Sequence, residues 1–239
     1  MKPRLQSAFT LIEMLVVISI IAILAAFAVP ALTSALTRGQ LTGTMNNARQ
    51  VFLAGQQMAL DGTANSDPSL GWPGDVNPAV GTVSAYVDLL VKNNYLQAGD
   101  VQKLFTAPSA AVTVTGGTTS GSPPAYTPIA FGGGSVPALK IYRMQDANPG
   151  STLFCVTNNW VYDNDLSATA NPYSTKGFVV IRKGGDASVF KRAQAQHTTA
   201  SPTGTVALFQ SLVGRLPGDL DGAAGTEATG TTGNTLSFP

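Results

Sequence analysis

The sequence has almost none of the side chains on which most metal and nucleophilic chemistry depends. It contains one cysteine, Cys155, and one histidine, His197, so an internal disulfide is impossible and most metal sites and catalytic triads are excluded. It has no nucleophile elbow, P-loop, dinucleotide-binding fingerprint or zinc motif. We therefore predict that the protein is not an enzyme. We expect Cys155, in an apolar run, to be buried and inert, and His197 to lie on the surface.

Charged side chains are also scarce. They make up 11% of the 239 residues, and the formal net charge is +1. Binding to nucleic acid through charge needs a clustered basic surface, and no such cluster is present. We therefore expect no nucleic-acid partner. A low charge suits an exported protein that packs against copies of itself without electrostatic repulsion.

One long apolar run, Ala8 to Pro30, dominates the N-terminal region, and Glu13 is its only charged residue. From Met14 to Thr37 there are 24 uncharged residues, whereas a helix needs about 20 to cross a bilayer. A cleaved secretory signal has a shorter apolar region, of roughly 7–15 residues. Because Lys2 and Arg4 precede the run, we expect a single membrane pass with a cytoplasmic N-terminus. An uncleaved anchor on an unrelated extracytoplasmic domain would have the same topology.

The motif Ala8-Phe9-Thr10-Leu11-Ile12-Glu13 closely resembles the cleavage and assembly motif of type IV pilins and type II secretion pseudopilins. The resemblance implies that a prepilin peptidase cuts between Ala8 and Phe9 and that the new N-terminus at Phe9 is methylated. It also implies that Glu13 is the assembly glutamate and that Pro30 is the family's helix-bending proline. The family usually has Gly before the cut, so Ala8 implies slower or lineage-specific processing.

Physical reasoning supports a special role for Glu13. An isolated carboxylate in lipid costs several kcal/mol or takes up a proton. A free amine on Phe9 of a neighbouring subunit would neutralise it and would favour one axial register between subunits. The alternative is an inert glutamate at the level of the lipid headgroups. Pro30 lacks an amide donor, so we expect it to bend or locally melt the helix.

The pattern of apolar residues predicts an α+β fold in which a long N-terminal helix, membrane-spanning in its first half, packs on a small antiparallel sheet. We expect a leader at 1–8, a transmembrane and assembly helix at 9–37, and an extracytoplasmic pilin-like domain at 38–239. Apolar residues spaced by three and four continue the helix to about Leu60, and Asp61-Gly62 is the predicted stop.

Further elements follow in the globular part. Val83 to Val91 predicts a second helix, and Asp100 is a predicted cap for a short helical turn. Residues 106–137 are rich in Thr, Gly, Ser and Pro, and we expect 113–124 and 132–137 to form mobile loops or edges outside the core. Predicted strands cover 139–142, 153–157, 178–182 and 188–191, the last two forming a hairpin, and Val206 to Phe209 predicts a strand or a short helix.

Two groups of residues leave alternatives open. Asp219 and Asp221 are weak calcium candidates in a tight turn, because Ca²⁺ takes 6–8 oxygen ligands, but a solvated turn is the favoured interpretation. We expect no other cofactor. Trp160, Tyr162 and Tyr173 lie among Asn and Asp residues, and they form either a polar-aromatic recognition surface or the packing of a loop.

From these observations we predict a structural subunit of a type II secretion pseudopilus or a type IV pilus-like filament. Many type IV pilins have a C-terminal disulfide pair, and because this chain has a single cysteine the resemblance favours the pseudopilus. Its expected partners are copies of itself, other pilin-like subunits, the prepilin peptidase, the inner-membrane assembly platform and membrane lipid. Its expected location is the bacterial inner membrane, then a periplasmic or cell-surface filament. The alternative is a signal-anchored extracytoplasmic binding protein that does not polymerise.

Overall fold

The structure is a computed structural model that describes residues 10–122, 124–200, 203–223, 225–230 and 232–238. These residues divide into two compact units, and the boundary lies between Gly39 and Gln40. The first unit contains the beginning of helix α1 (Leu11–Asn65). The second unit contains the remainder of α1 and every other element, so it provides the hydrophobic core of the protein.

Within the second unit, helix α1 buries the face that the apolar spacing predicts, including Ala48, Val51, Phe52 and Met58. The helix ends at Asn65, so the predicted stop at Asp61-Gly62 is wrong. Gly62 is buried because the chain returns closely over it, and a Cβ there would overlap the Leu70 carbonyl oxygen. The left-handed residue that follows the helix is Ser66, with φ of 52°.

Two short helices pack beside α1. Helix α2 (Val83–Lys92) has its predicted position, and the Thr82 hydroxyl accepts a hydrogen bond from the Ala85 amide at 3.1 Å. Helix α3 (Ala98–Leu104) begins earlier than predicted, with Gln97 as its N-cap. Asp100 is therefore not the cap. It lies in the first turn, where its negative charge interacts favourably with the positive end of the helix dipole.

The Thr- and Gly-rich segment 106–137 contains four short strands, which the sequence patterns did not predict individually. Strand β1 (Val114–Thr115) pairs with β4 (Ala130–Phe131), and β2 (Thr118–Ser120) pairs with β3 (Ala125–Thr127), both antiparallel. Val112, Ile129 and Phe131 are buried in the core. The Asp88 carboxylate on α2 anchors this segment, because it accepts hydrogen bonds from the Tyr126 hydroxyl at 2.6 Å and the Ile129 amide at 2.7 Å. Strands this short leave too little periodicity to be predicted.

The central sheet has four antiparallel strands in chain order: β5 (Leu139–Ile141), β6 (Leu153–Thr157), β7 (Phe178–Arg182) and β8 (Ala187–Phe190). All four lie within one residue of their predicted positions. The predicted hairpin joins β7 to β8, with Val179 opposite Val189 and Gly185 in the turn at φ of 84°. Together with α1, this sheet confirms the predicted α+β class.

Both faces of the sheet are covered. The face toward α1 contains Ile141, Phe154 and Ile181, which join the core cluster of helices α1 to α3. On the opposite face Trp160 stacks on Phe178 at 4.5 Å between ring centroids. The short helix α4 (His197–Ala200) and helix α5 (Val206–Leu212) complete this second layer, to which α5 contributes the buried Phe209.

The C-terminal segment, described for residues 225–230 and 232–238, lies along the β5 edge of the sheet. The Leu236 amide donates to the Ile141 carbonyl oxygen at 2.9 Å, and the Arg143 amide donates to Asn234 at 2.8 Å. Glu227 forms an ion pair with Lys140, and both side chains are nearly buried. This segment was not assigned from the sequence, because its contacts join residues far apart in the chain.

Candidate functional site

The first part of helix α1 exposes an apolar surface that nothing in its own unit covers. Every residue from Thr10 to Leu36 is exposed, and the large apolar side chains there have exposed fractions of 46% to 83%. Within the described residues, α1 is the one helix long and apolar enough to cross a membrane by length and composition. Burying one such side chain yields about 1.5–3 kcal/mol, so lipid or other protein chains would cover this surface with a large gain.

Glu13 is held at the start of this helix by a capping box. Its Oε2 atom accepts hydrogen bonds from the Thr10 amide at 2.8 Å and the Thr10 hydroxyl at 2.6 Å, and the Glu13 amide donates back to that hydroxyl at 3.3 Å. Oε1 has no hydrogen-bond partner among the described residues. Our sequence reasoning missed Thr10, although the spacing Thr-x-x-Glu is a recognised signal for such a box.

This geometry restrains the Glu13 carboxylate through one of its two oxygens. Two donors fix one oxygen, which restricts the side chain to one orientation and leaves the other oxygen available. The predicted cleavage junction, Ala8 and Phe9, lies outside the described residues. The assignments of cleavage and methylation there, and of assembly to Glu13, therefore stay predictions.

Pro30 lies inside helix α1, with helical residues on both sides. Because proline has no amide hydrogen, the Ala26 carbonyl lacks the usual partner four residues on. The Thr33 hydroxyl donates to the Pro30 carbonyl oxygen at 2.9 Å, which adds a side-chain bond to the same stretch of helix. The predicted bend at Pro30 stays a prediction.

The two calcium candidates are engaged with protein groups. Asp219 accepts a hydrogen bond from the Gly225 amide at 3.1 Å, and partial burial raises the pKa of its carboxyl group. Asp221 forms an ion pair with Arg215 and is largely exposed. Within the described residues no three His, Cys, Asp or Glu side chains lie together as a metal-binding group. The weak calcium prediction stays a prediction.

The aromatic residues Trp160, Tyr162 and Tyr173 are buried, with exposed fractions of 3% or less. Of the two alternatives, the structure favours loop packing over a recognition surface. The Tyr173 hydroxyl lies 2.6 Å from the Thr44 hydroxyl and donates to the Gln40 carbonyl oxygen at 3.0 Å, so this loop fastens the second part of α1.

The single cysteine and the single histidine both have structural environments. Cys155 is a buried free cysteine, as predicted, and burial raises the pKa of its thiol. His197 is partly buried and not on the open surface. Its amide and its ring Nδ1 lie 2.7 Å and 2.6 Å from the two carboxylate oxygens of Asp163. Asp165 forms an ion pair with Arg192. Asp163 and Asp165 therefore both connect neighbouring loops.

Comparisons with known proteins agree on the N-terminal region. Residues 3–29 match the family described as the prokaryotic N-terminal methylation motif. The chain is 40% identical over 68 residues to the type IV major fimbrial protein FimA of Dichelobacter nodosus, an alignment that covers 28% of this chain and 44% of FimA. It is 35% identical over 107 residues to the fimbrial protein EcpC of Eikenella corrodens, covering 45% of this chain and 65% of EcpC. The chain thus spans less than half of FimA and about two thirds of EcpC. No solved structure matches the chain at a significant level.

The matched residues 3–29 contain Glu13 and most of the exposed apolar part of helix α1. The N-terminal methylation motif and the similarity to type IV fimbrial proteins support a relationship of this chain to the type IV pilin family.

Proposed function

We propose that the protein is a structural subunit of a type IV pilus-like filament and that its N-terminal helix drives assembly. One observation carries the proposal: the exposed apolar part of α1, residues 11–36, has a single carboxylate, and that carboxylate lies inside the matched methylation motif. In the proposed sequence of events, a prepilin peptidase removes residues 1–8 and Phe9 is methylated. The subunit then waits in the inner membrane until the assembly platform adds it to the filament.

The physical basis is an exchange of one apolar environment for another. Lipid covers the helix before assembly, and neighbouring helices cover it in the filament, so apolar burial changes little and polar contacts decide the register. A free α-amine at Phe9 of a neighbour would lie against the unoccupied Oε1 of Glu13. Because an unpaired charge in such a medium costs several kcal/mol, registers that separate the two charges are penalised.

The names of the relatives support a pilus, since FimA and EcpC are both named as fimbrial proteins. A type II secretion pseudopilus is the second candidate. The observation in its favour is that Cys155 is the single cysteine. The chain therefore cannot form the C-terminal disulfide that many type IV pilins have. Both functions are structural, and we propose no enzymatic activity.

A signal-anchored binding protein is a further candidate, and one cleft gives it support. The cleft has a volume of about 420 Å³ and lies among Gly74, Arg143, Gln145, Asp219 and Asn234. Its polar side chains would suit a small polar ligand. This alternative predicts a protein that stays monomeric in the membrane.

The test replaces Glu13 by Ala in the full chain, expressed with a prepilin peptidase and a pilus assembly platform. We expect the variant to insert in the membrane and to be cleaved, but to yield no filaments in the sheared surface fraction. Ser19→Ala is the matched control, because Ser19 is an exposed polar residue of the same helix that hydrogen-bonds only to its own helix, at the Val16 carbonyl. Normal filaments from the Glu13 variant would refute the proposed role, and absence of filaments from the unmodified chain would favour the monomeric alternative.

A further inference from the structure

A cavity with a volume of about 250 Å³ lies beside strand β5 in the second unit, and we call it the β5 cavity. Its apolar walls include Val83, Leu139, Val161, Leu236 and Phe238. An engineered cavity of about 150 Å³ is large enough to bind benzene. The β5 cavity therefore has room for a single ring or a short alkyl chain together with a polar group.

The β5 cavity connects the protein surface with the buried edge of the sheet. Val161 lines it and is 48% exposed, so this wall is in contact with solvent. Leu139 and Leu236 line it as well, and their exposed fractions are 0% and 3%. A small molecule can therefore enter the cavity from solvent and cover apolar surface inside it.

The ion pair of Lys140 and Glu227 also lines the β5 cavity. Lys140 Nζ donates one hydrogen bond, to Glu227 Oε1, and the Tyr142 ring lies 5.8 Å from Nζ in a cation–π contact. An ammonium group has three donors. The two remaining N–H groups of Lys140 have no hydrogen-bond acceptor among the described residues, although the side chain is only 11% exposed. The cavity therefore offers hydrogen-bond donors to a ligand.

The charges that line the cavity determine which ligand suits it. Lys140 and Glu227 cancel each other, and the described lining contains no other charged side chain. A charged ligand would bring an uncompensated charge into a nearly buried site, which is unfavourable. A neutral carbonyl oxygen, in contrast, accepts hydrogen bonds from the free donors of Lys140 and leaves the ion pair intact.

We propose that the β5 cavity binds a small neutral carbonyl compound with a single ring or a short alkyl chain as its apolar body. The carbonyl oxygen accepts from Lys140 Nζ, and the apolar body packs against Leu139, Leu236 and Phe238. This binding function goes beyond the proposed filament function and does not depend on it, because all these residues lie outside the matched residues 3–29.

The test titrates 4-fluorobenzamide into the full chain in mild detergent and follows the ¹⁹F NMR signal, with protein-free micelles as the reference. The probe has a ring, a neutral carbonyl group and about ten non-hydrogen atoms, so we expect saturable binding with a Kd of about 1 mM or tighter. We expect 4-fluorobenzoate and 4-fluorobenzylammonium, which have similar size but carry a charge, to bind at least about tenfold more weakly.

Two variants locate the binding and identify the donor. Val161→Trp places a large side chain at the exposed wall and should weaken binding at least about tenfold. Leu208→Trp is its matched control, because Leu208 is similarly exposed, at 45%, and does not line the cavity. The double variant K140M/E227Q removes the donors and both charges. It should weaken binding of 4-fluorobenzamide about tenfold and leave binding of 4-fluorotoluene, which has no carbonyl group, within about twofold.

Three results would overturn the inference. Absence of saturable 4-fluorobenzamide binding by the folded, unmodified chain would show that the cavity is not a binding site for this class of ligand. Equal effects of Val161→Trp and Leu208→Trp would place the binding elsewhere. Equal losses of the amide and the toluene probe in K140M/E227Q, or tighter binding of the benzoate, would show that Lys140 does not select a neutral carbonyl group. None of these results bears on filament formation, which the Glu13→Ala variant tests separately.

Discussion

The ion pair between Lys140 and Glu227 gives the most quantitative prediction. Lys140 lies on β5 and Glu227 on the C-terminal segment, and their side chains are only 11% and 10% exposed. Glu227 also accepts hydrogen bonds from the Tyr142 hydroxyl at 3.1 Å and the Tyr162 amide at 2.9 Å. Glu227→Gln keeps the size of the side chain and an oxygen for these two donors, but removes the charge that compensates Lys140.

We expect Glu227→Gln to lower the free energy of unfolding by about 3–5 kcal/mol, the usual cost of leaving a buried charge unpaired. Lys140 could instead lose its proton, and burial already lowers its pKa. From a reference pKa near 10.4, deprotonating Lys140 at pH 7 costs about 4.6 kcal/mol. The loss in the free energy of unfolding therefore stays within about 3–5 kcal/mol by this route as well. Lys140→Met in the Glu227→Gln background removes the unpaired charge and should restore most of the stability.

The pH dependence of the free energy of unfolding gives a second test for an unpaired Lys140. A lysine whose pKa is lower in the folded state binds fewer protons when folded, so the free energy of unfolding rises with pH up to the unfolded pKa. The deficit of Glu227→Gln relative to the unmodified chain should therefore shrink between pH 7 and pH 9, by as much as about 1.4 kcal/mol per pH unit. The Met double variant should not have this dependence.

Urea unfolding of the full chain in mild detergent, followed by tryptophan fluorescence, measures both effects. Trp72 and Trp160 are both buried, and they belong to the two core clusters on either side of the sheet. Both tryptophans should therefore report the loss of the fold. A loss below about 1 kcal/mol for Glu227→Gln, or a deficit that stays constant from pH 7 to pH 9, would refute the reasoning.

Two further predictions concern the contacts of α1 within the globular unit. The buried Tyr86 hydroxyl has no hydrogen-bond partner among the described residues, and an added Cβ at Gly55 would lie 2.7 Å from it. Tyr86→Phe should raise the free energy of unfolding by about 1 kcal/mol. Gly55→Ala should stabilise the Tyr86→Phe variant, but it should destabilise the unmodified chain. The midpoints of urea unfolding measure all three effects. An unchanged midpoint for Tyr86→Phe would contradict this. Tyr173→Phe removes the hydroxyl that contacts Thr44 and Gln40 and should cost about 1–2 kcal/mol in the same assay, whereas a cost near zero would mean that the hydroxyl does not fasten the helix.

Local patterns predicted much of this fold because its main elements carry their own periodicity. The core face of α1, with Phe52 and Met58, follows from spacings of three and four. The β7–β8 hairpin follows from two apolar runs joined at Gly184-Gly185. In such elements each residue's environment is set by neighbours a few positions away.

The contacts that were missed join distant parts of the chain. Lys140 and Glu227 are 87 positions apart, and Tyr173 reaches Thr44 across 129 positions. No periodicity marks such pairs, because they depend on how the loops return to the sheet. The capping box of Thr10 and Glu13 is different, since both residues lie within one helical turn and their spacing was readable.

The intact mass of the chain after co-expression with a prepilin peptidase tests the central claim most directly. A pilus-like subunit should lose residues 1–8, so that Phe9 becomes its N-terminus, and should gain the mass of one methyl group. Fragmentation should place that methyl group on the Phe9 amine. A chain that keeps its full mass in the presence of an active peptidase, with a pilin of the host cleaved in the same cells, would contradict the proposed function.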